Sequence, residues 1–205
     1  MKNKLSLKLI AALLGALSYL VMQFEFPIMP GVDFLKFDFS DIIIVATIVC
    51  FGYSTGIITA FVRLGLALII HGFSPFSLIG EVAAFIAVLL FTLPLIYRKK
   101  LLSLVAGIFL MAIGLSILNY FIITPLYALV SLPHVDNFSI TNLIKIADYQ
   151  YIRQLLHLPS LMTYIMTIVL PFNFLKGIIN TIVMAIFWPT LKKNLIPYFQ
   201  KQFFN

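Results

Sequence analysis

Between Asp41 and Glu81 the chain carries one charged residue, Arg63. An apolar tract of that length is too long for a single core helix, and it suits a bilayer as its solvent. The rest of the chain has the same character. Of 205 residues, 62% are hydrophobic and only 10% charged, and the mean hydropathy is +1.09, well outside the range of soluble domains. Runs this long read as helices, so the expected fold is an all-α integral membrane protein forming one domain over residues 1–205. The first apolar run, from Leu5, is one of several and is followed by no small-residue cleavage site; it is expected to be a first span rather than a leader. Cys50 lies alone inside IIIVATIVC, where it can build neither a disulfide framework nor a metal site.

The charges give the orientation. Nine of the fourteen basic residues fall in three clusters, Lys2, Lys4 and Lys8, then Arg98, Lys99 and Lys100, then Lys192, Lys193 and Lys201, while all seven acidic residues lie in the segments between them. Basic residues collect in cytoplasmic loops. Both termini and the Tyr97–Leu101 connection are therefore expected on the cytoplasmic side of the cell membrane, with an even number of spans between clusters. The net charge of +7 is explained by this distribution and calls for no nucleic acid; contact with anionic lipid can coexist with it.

Six transmembrane helices satisfy that rule. The first is expected over about Leu5–Phe24, the fourth over Glu81–Tyr97, the fifth over Leu102–Thr124 and the sixth over Leu161–Leu191, each able to cross ~30 Å at ~1.5 Å per residue. Residues 42–80 divide either at Gly52-Tyr53-Ser54 or at Arg63. Gly with Ser is a turn signal, which favours the first division and leaves short second and third helices with room for a loop to dip inward. Arg63 then lies inside the third helix, ready for a ligand carboxylate or phosphate; the other division puts it at the cytoplasmic edge. The outer loop of residues 26–41, between helices 1 and 2, has two prolines and a glycine and then alternates Leu35-Lys36-Phe37-Asp38-Phe39, the two-residue period of an extended lid. IKIADYQYIRQLLHL, in the connection before the sixth helix, reads as an amphipathic interfacial helix.

Counting helical rise from the inner basic clusters puts Asn119 and Asn173 at ~28 Å, Glu81 at ~26 Å and Lys176 at ~24 Å. Four polar groups from three helices thus share one depth near the outer face. Asn173, Lys176 and Asn180 share one side of the sixth helix by their i, i+3 and i+4 spacing. A lysine in the bilayer is costly, so it should face a cavity with a partner, for which Glu81 is the natural candidate. The alternative is interhelical glue. Aromatic residues at this level, Phe37, Phe39, Tyr120 and Phe172 among them, could stack on a planar ring. His71, His134 and His157 share no metal-ligand spacing. No Walker loop, HExxH helix, GxSxG elbow or paired catalytic carboxylates are present, so an enzyme is not expected. In the first helix, Ala12 and Ala16 form a small-xxx-small pattern for close approach of another helix, internal or from a partner.

FLKFDFSD at 34–41, ILNYFIITPLY at 117–127 and LPFNFLKG at 170–177 together resemble the riboflavin-specific S components of energy-coupling factor (ECF) transporters. The resemblance spans nearly the whole chain. It implies a six-helix membrane subunit with an outward-facing pocket that captures riboflavin, needs no cofactor, and docks on a transmembrane coupling subunit (T component) driven by two ATPases. It further implies that Asn119, Asn173 and Lys176 hold the flavin, with Glu81, Lys36 or Asp38 available for the ribityl hydroxyls, and that Ala12 and Ala16 form the docking contact. An S component for another vitamin, such as pantothenate or a pyrimidine- or pyridoxine-type compound, and a stand-alone secondary transporter are the alternatives.

Overall fold

Gly52 decides how the long apolar tract divides. Its φ of 95° is in the left-handed region that a side chain resists, and it ends one helix, α2 (Ser40–Phe51), and begins the next, α3 (Tyr53–His71). The chain divides where the Gly-Tyr-Ser turn signal predicts, so Arg63 sits inside α3. Of these two, α2 alone is short: its 12 residues rise ~18 Å, too little for a bilayer of ~30 Å, whereas the 19 residues of α3 suffice. The computed structural model describes residues 2–28, 35–98, 100–131 and 139–203. Three expectations fall partly outside these residues: the middle of the lid at 29–34, the basic residue Lys99, and the outer loop at 132–138 with His134.

The other helices are α1 (Lys2–Met22), α4 (Pro75–Thr92, continued by a 3-10 turn over Leu93–Ile96), α5 (Leu101–Leu118), α6 (Thr124–Ser131), α7 (Ile140–Ile146), α8 (Leu161–Tyr164), α9 (Leu170–Thr190) and α10 (Ile196–Phe203). Among the described residues, five stretches are long and apolar enough to span a membrane: Leu5–Met22, Tyr53–His71, Pro75–Ile96, Leu101–Ser131 and Leu161–Phe199. The fold is all-α apart from a two-residue antiparallel hairpin, β1 (Phe26–Pro27) with β2 (Lys36–Phe37), pairing Phe26 with Phe37. The fourth helix begins at Pro75, six residues before the expected Glu81, because Ser74 caps it: its Oγ accepts the Ser77 N–H at 3.0 Å, and Pro75 stands where a missing N–H costs nothing.

The short α2 lies at the centre, touching α1, α3, α4, α9 and α10. Ile44, Val45, Ile48 and Val49 are all buried and join Val88, Phe91, Leu104 and Met111 in the main core. The outer rim of α1 and α3 is apolar instead, with Leu9, Leu13 and Phe61 exposed as a lipid-facing side requires. Gly107 sets the approach of α5 to α4, since a Cβ there would lie 1.9 Å from the Phe91 carbonyl oxygen. Gly107→Ala must push the two helices apart. It is expected to cost ~1–3 kcal/mol, read as a lowered melting temperature in detergent; unchanged melting would mean that the helices separate freely.

Candidate functional site

A cavity of about 390 Å³ lies between α4, the α5–α6 helix, α9 and the inner edge of the hairpin. That volume is within the usual range of small-molecule sites, ~300–1,000 Å³. Gly80, Ala83, Ala84 and Ala87 give one wall, a small-residue stripe at i, i+3, i+4 and i+7 along α4. Phe76, Phe172 and Tyr127 supply aromatic faces, and Asn119, Asn173 and Lys176 supply polar groups. The three residues picked by depth and by resemblance therefore line one cavity.

Both asparagines stand at irregularities in their helices. Asn119 opens a π-helical turn, Asn119–Ile123, and a second, Ile165–Val169, ends four residues before Asn173. An extra residue in the ladder rotates everything that follows, which is why such turns recur at functional sites. Pro171 follows closely on that second π-helical turn, within a helical stretch that continues on both sides of it. Each amide is steadied by the preceding turn: Asn119 Nδ2 donates to the Leu115 carbonyl at 2.9 Å and Asn173 Nδ2 to that of Val169 at 2.8 Å. Each NH2 retains its second hydrogen for a ligand.

Lys176 joins the cavity to a buried ionic cluster. Its Nζ is 3.3 Å from Asp41 Oδ2 and 3.7 Å from Asp38 Oδ2. Arg63, 2% exposed, donates to Asp41 Oδ1 at 2.6 Å and to Ser40 Oγ at 2.7 Å, and Asn180 Nδ2 donates to Asp41 Oδ2 at 3.4 Å. Ser40 N–H donates to Asp38 Oδ1 at 2.7 Å, and Ser18 Oγ donates to the Ser40 carbonyl at 3.0 Å. Two cations thus meet two carboxylates, and α1, the hairpin end, α2, α3 and α9 are tied at one point. Buried charges persist only when paired and hydrogen-bonded in this way.

Lys176 pairs with Asp41 and Asp38 and not with the expected Glu81. Glu81 Oε1 lies 3.7 Å from His71 Nδ1. Because Gly80 and Ala84 face the cavity, the next position, Glu81, is rotated by a helical step toward α3 and is not a lining residue. Arg63 lies neither at the cytoplasmic edge nor on the cavity wall; it is the internal counter-ion of Asp41. Asp41 escaped the sequence reading as a site residue, although one signal was present: it heads a helix whose other end is Gly52, only ~16 Å away, so it must start within the bilayer.

The residues of the expected lid differ in position. Lys36 lines the cavity and pairs with Glu25. Phe37 is fully buried, edge-on to Phe39 at 4.9 Å and tilted against Phe26 at 5.5 Å, and is not a lining residue. The two-residue alternation fails at Asp38, which is also buried because Lys176 and the Ser40 N–H draw it inward. The expected interfacial helix is α7 with a π-helical continuation, Ala147–Leu155. It packs Ala147 and Ile152 against Ala128 and Leu161 and brings Tyr151 to the cavity, so it covers part of the site. In α1, Gly15 makes the internal contact, against Val62 and Thr59, while Ala12 is exposed and Ala16 half-buried. Among the described residues, no three His, Cys, Asp or Glu side chains gather as a metal site.

Comparison with known proteins agrees with this architecture. The family model for the substrate-specific component of ECF transporters matches residues 9–187. The chain is 31% identical over 193 residues to the riboflavin transporter RibU of Streptococcus thermophilus, covering 90% of this chain and 82% of that one. It is also 31% identical over 207 residues to the riboflavin transporter FmnP of Bacillus subtilis, covering 94% and 93%. A solved structure of the S component of a bacterial ECF transporter superposes with a TM-score of 0.65 at 27% identity, covering 94% of this chain and 97% of that one. This helical membrane protein, with a small-molecule cavity joined through Lys176 to a buried ionic cluster, belongs to the substrate-specific components of ECF transporters.

Proposed function

We propose that the chain captures riboflavin from the outer side of the cell membrane for ATP-driven uptake. The observation that carries this reading is the convergence of Asn119, Asn173 and Lys176 on one aromatic-walled cavity of about 390 Å³. An isoalloxazine ring is flat and apolar with an imide edge; asparagine amides can donate to its carbonyls and accept from its N–H, while lysine adds a charge-assisted donor. The curated relatives bearing the name riboflavin transporter support the same choice of cargo. Riboflavin is the transported substrate, not a resident cofactor.

In this reading all six of the longest helices, α2 included, form the membrane domain, both termini are cytoplasmic, and the hairpin of β1 and β2 closes the cavity as a lid. The exposed Ala12 and half-buried Ala16 receive the coupling subunit, whose two ATPase partners supply the work. Release then needs a lower affinity in the docked state than in the free one. The test is titration of detergent-purified protein with riboflavin, followed by the flavin absorbance bands. Submicromolar binding is expected, weakened about tenfold (~1.4 kcal/mol) by Asn119→Ala or Asn173→Ala. Tight binding of pantothenate or a pyrimidine in place of riboflavin would overturn the choice of vitamin.

A further inference from the structure

The polar groups used so far leave one end of the cavity unexplained. Tyr127 is eight residues beyond Asn119, or ~12 Å along the helix, and Tyr164 precedes Asn173 by nine, ~13 Å. Both line the cavity, as does Tyr151 from the covering segment. A tyrosine-rich end therefore stands outward of the asparagines. The Tyr127 ring lies against Phe76, with centroids 6.0 Å apart, yet among the described residues neither the Tyr127 nor the Tyr151 hydroxyl has a hydrogen-bond partner. Half-buried phenols normally find one. Burial also pushes the Tyr151 phenol up from its ordinary range, so it remains a donor at neutral pH. Space is reserved for Tyr127: a Cβ on Gly80 would lie 2.9 Å from its hydroxyl oxygen.

We propose that Tyr127 and Tyr151, with Gly80 leaving room for the first, form a polyol subsite that hydrogen-bonds the ribityl hydroxyls of the flavin while Asn119, Asn173 and Lys176 hold the imide edge of its ring. This assignment rests on the riboflavin reading. A phenol both donates and accepts, as a chain hydroxyl does, so each contact can form in either sense. Because Tyr151 comes from the segment that covers part of the cavity, ligand capture and closure of that cover use one group.

Lumiflavin, which has the same tricyclic ring without the polyol, separates the two ends. Fluorescence titrations of the full-length protein in detergent should show Tyr127→Phe and Tyr151→Phe each weakening riboflavin about fivefold, and the double variant on the order of 25-fold, with lumiflavin within about twofold of wild type. Phenylalanine keeps the ring, and among the described residues no hydrogen-bond partner is lost, so folding should be preserved. Gly80→Ala, which favours the helix while crowding the Tyr127 hydroxyl, should reproduce the selective loss. Equal weakening of both flavins would reduce the tyrosines to ring packing, and unchanged riboflavin affinity would remove the subsite; either result leaves the riboflavin reading standing. Wild-type protein that binds neither flavin would overturn that reading and the subsite together.

Discussion

Asp41→Leu should be the most damaging single substitution outside the helix–helix contacts, lowering stability by about 3–5 kcal/mol. The carboxylate is buried and serves three donors at once, with Arg63 on one oxygen and Lys176 and Asn180 on the other. Leucine fills the space but leaves a guanidinium with only a hydroxyl and a backbone carbonyl for company. An uncompensated charge at this depth costs several kcal/mol, a large share of the marginal stability of a folded domain. The double variant Asp41→Leu/Arg63→Met should recover much of the loss, because it removes both members of the pair and leaves Lys176 with Asp38. Thermal unfolding in detergent, followed by size-exclusion monodispersity, reads the order: wild type, then the double variant, then Asp41→Leu. If the single variant melted within a degree or two of wild type, water would be solvating the cluster and the pair would carry little.

The second large effect is on binding. Lys176→Met keeps the length of the side chain and removes its donors, so riboflavin affinity should fall about ten- to a hundredfold, the usual cost of deleting a hydrogen bond from a charged group. Stability should fall less than in Asp41→Leu, because Asp41 keeps Arg63 and Asn180. The two variants thus separate the two sides of one cluster: Asp41→Leu should act on folding first, Lys176→Met on ligand affinity first. Equilibrium titration beside a melting curve for each variant distinguishes them. Should the methionine variant bind flavin as tightly as wild type, Lys176 would belong to the ionic cluster alone.

Much of this arrangement could be read from residue order, and what could not has a common cause. The break at Gly52 follows from turn chemistry, and Asn119, Asn173 and Lys176 come to one depth when helical rise is counted from the basic clusters. Rise gives height, not azimuth. Glu81 has the right height and the wrong direction, because the stripe of Gly80, Ala83, Ala84 and Ala87 turns it toward His71. Asp41 was hidden differently: the charge pattern assigned it to an outer loop, and only the shortness of α2 places it deep. The π-helical turns at Asn119–Ile123 and Ile165–Val169 have no local sequence signature, so the aim of both asparagines depended on tertiary packing. Tyr151 was overlooked because an amphipathic segment was expected to lie on the surface rather than to cover a cavity.

The brevity of α2 bears on how the protein is made. A nascent segment that rises ~18 Å and begins with a carboxylate is a poor substrate for insertion by itself. Arg63 follows Asp41 by 22 residues, close enough for the two to neutralise each other within an α2–α3 helical hairpin delivered to the lipid as one piece. Asn180 is synthesised 139 residues after Asp41, and Lys176 only shortly before it, so the remaining half of the cluster forms only once α9 docks. The mature carboxylate records that history, one oxygen held by an early partner and the other by late ones.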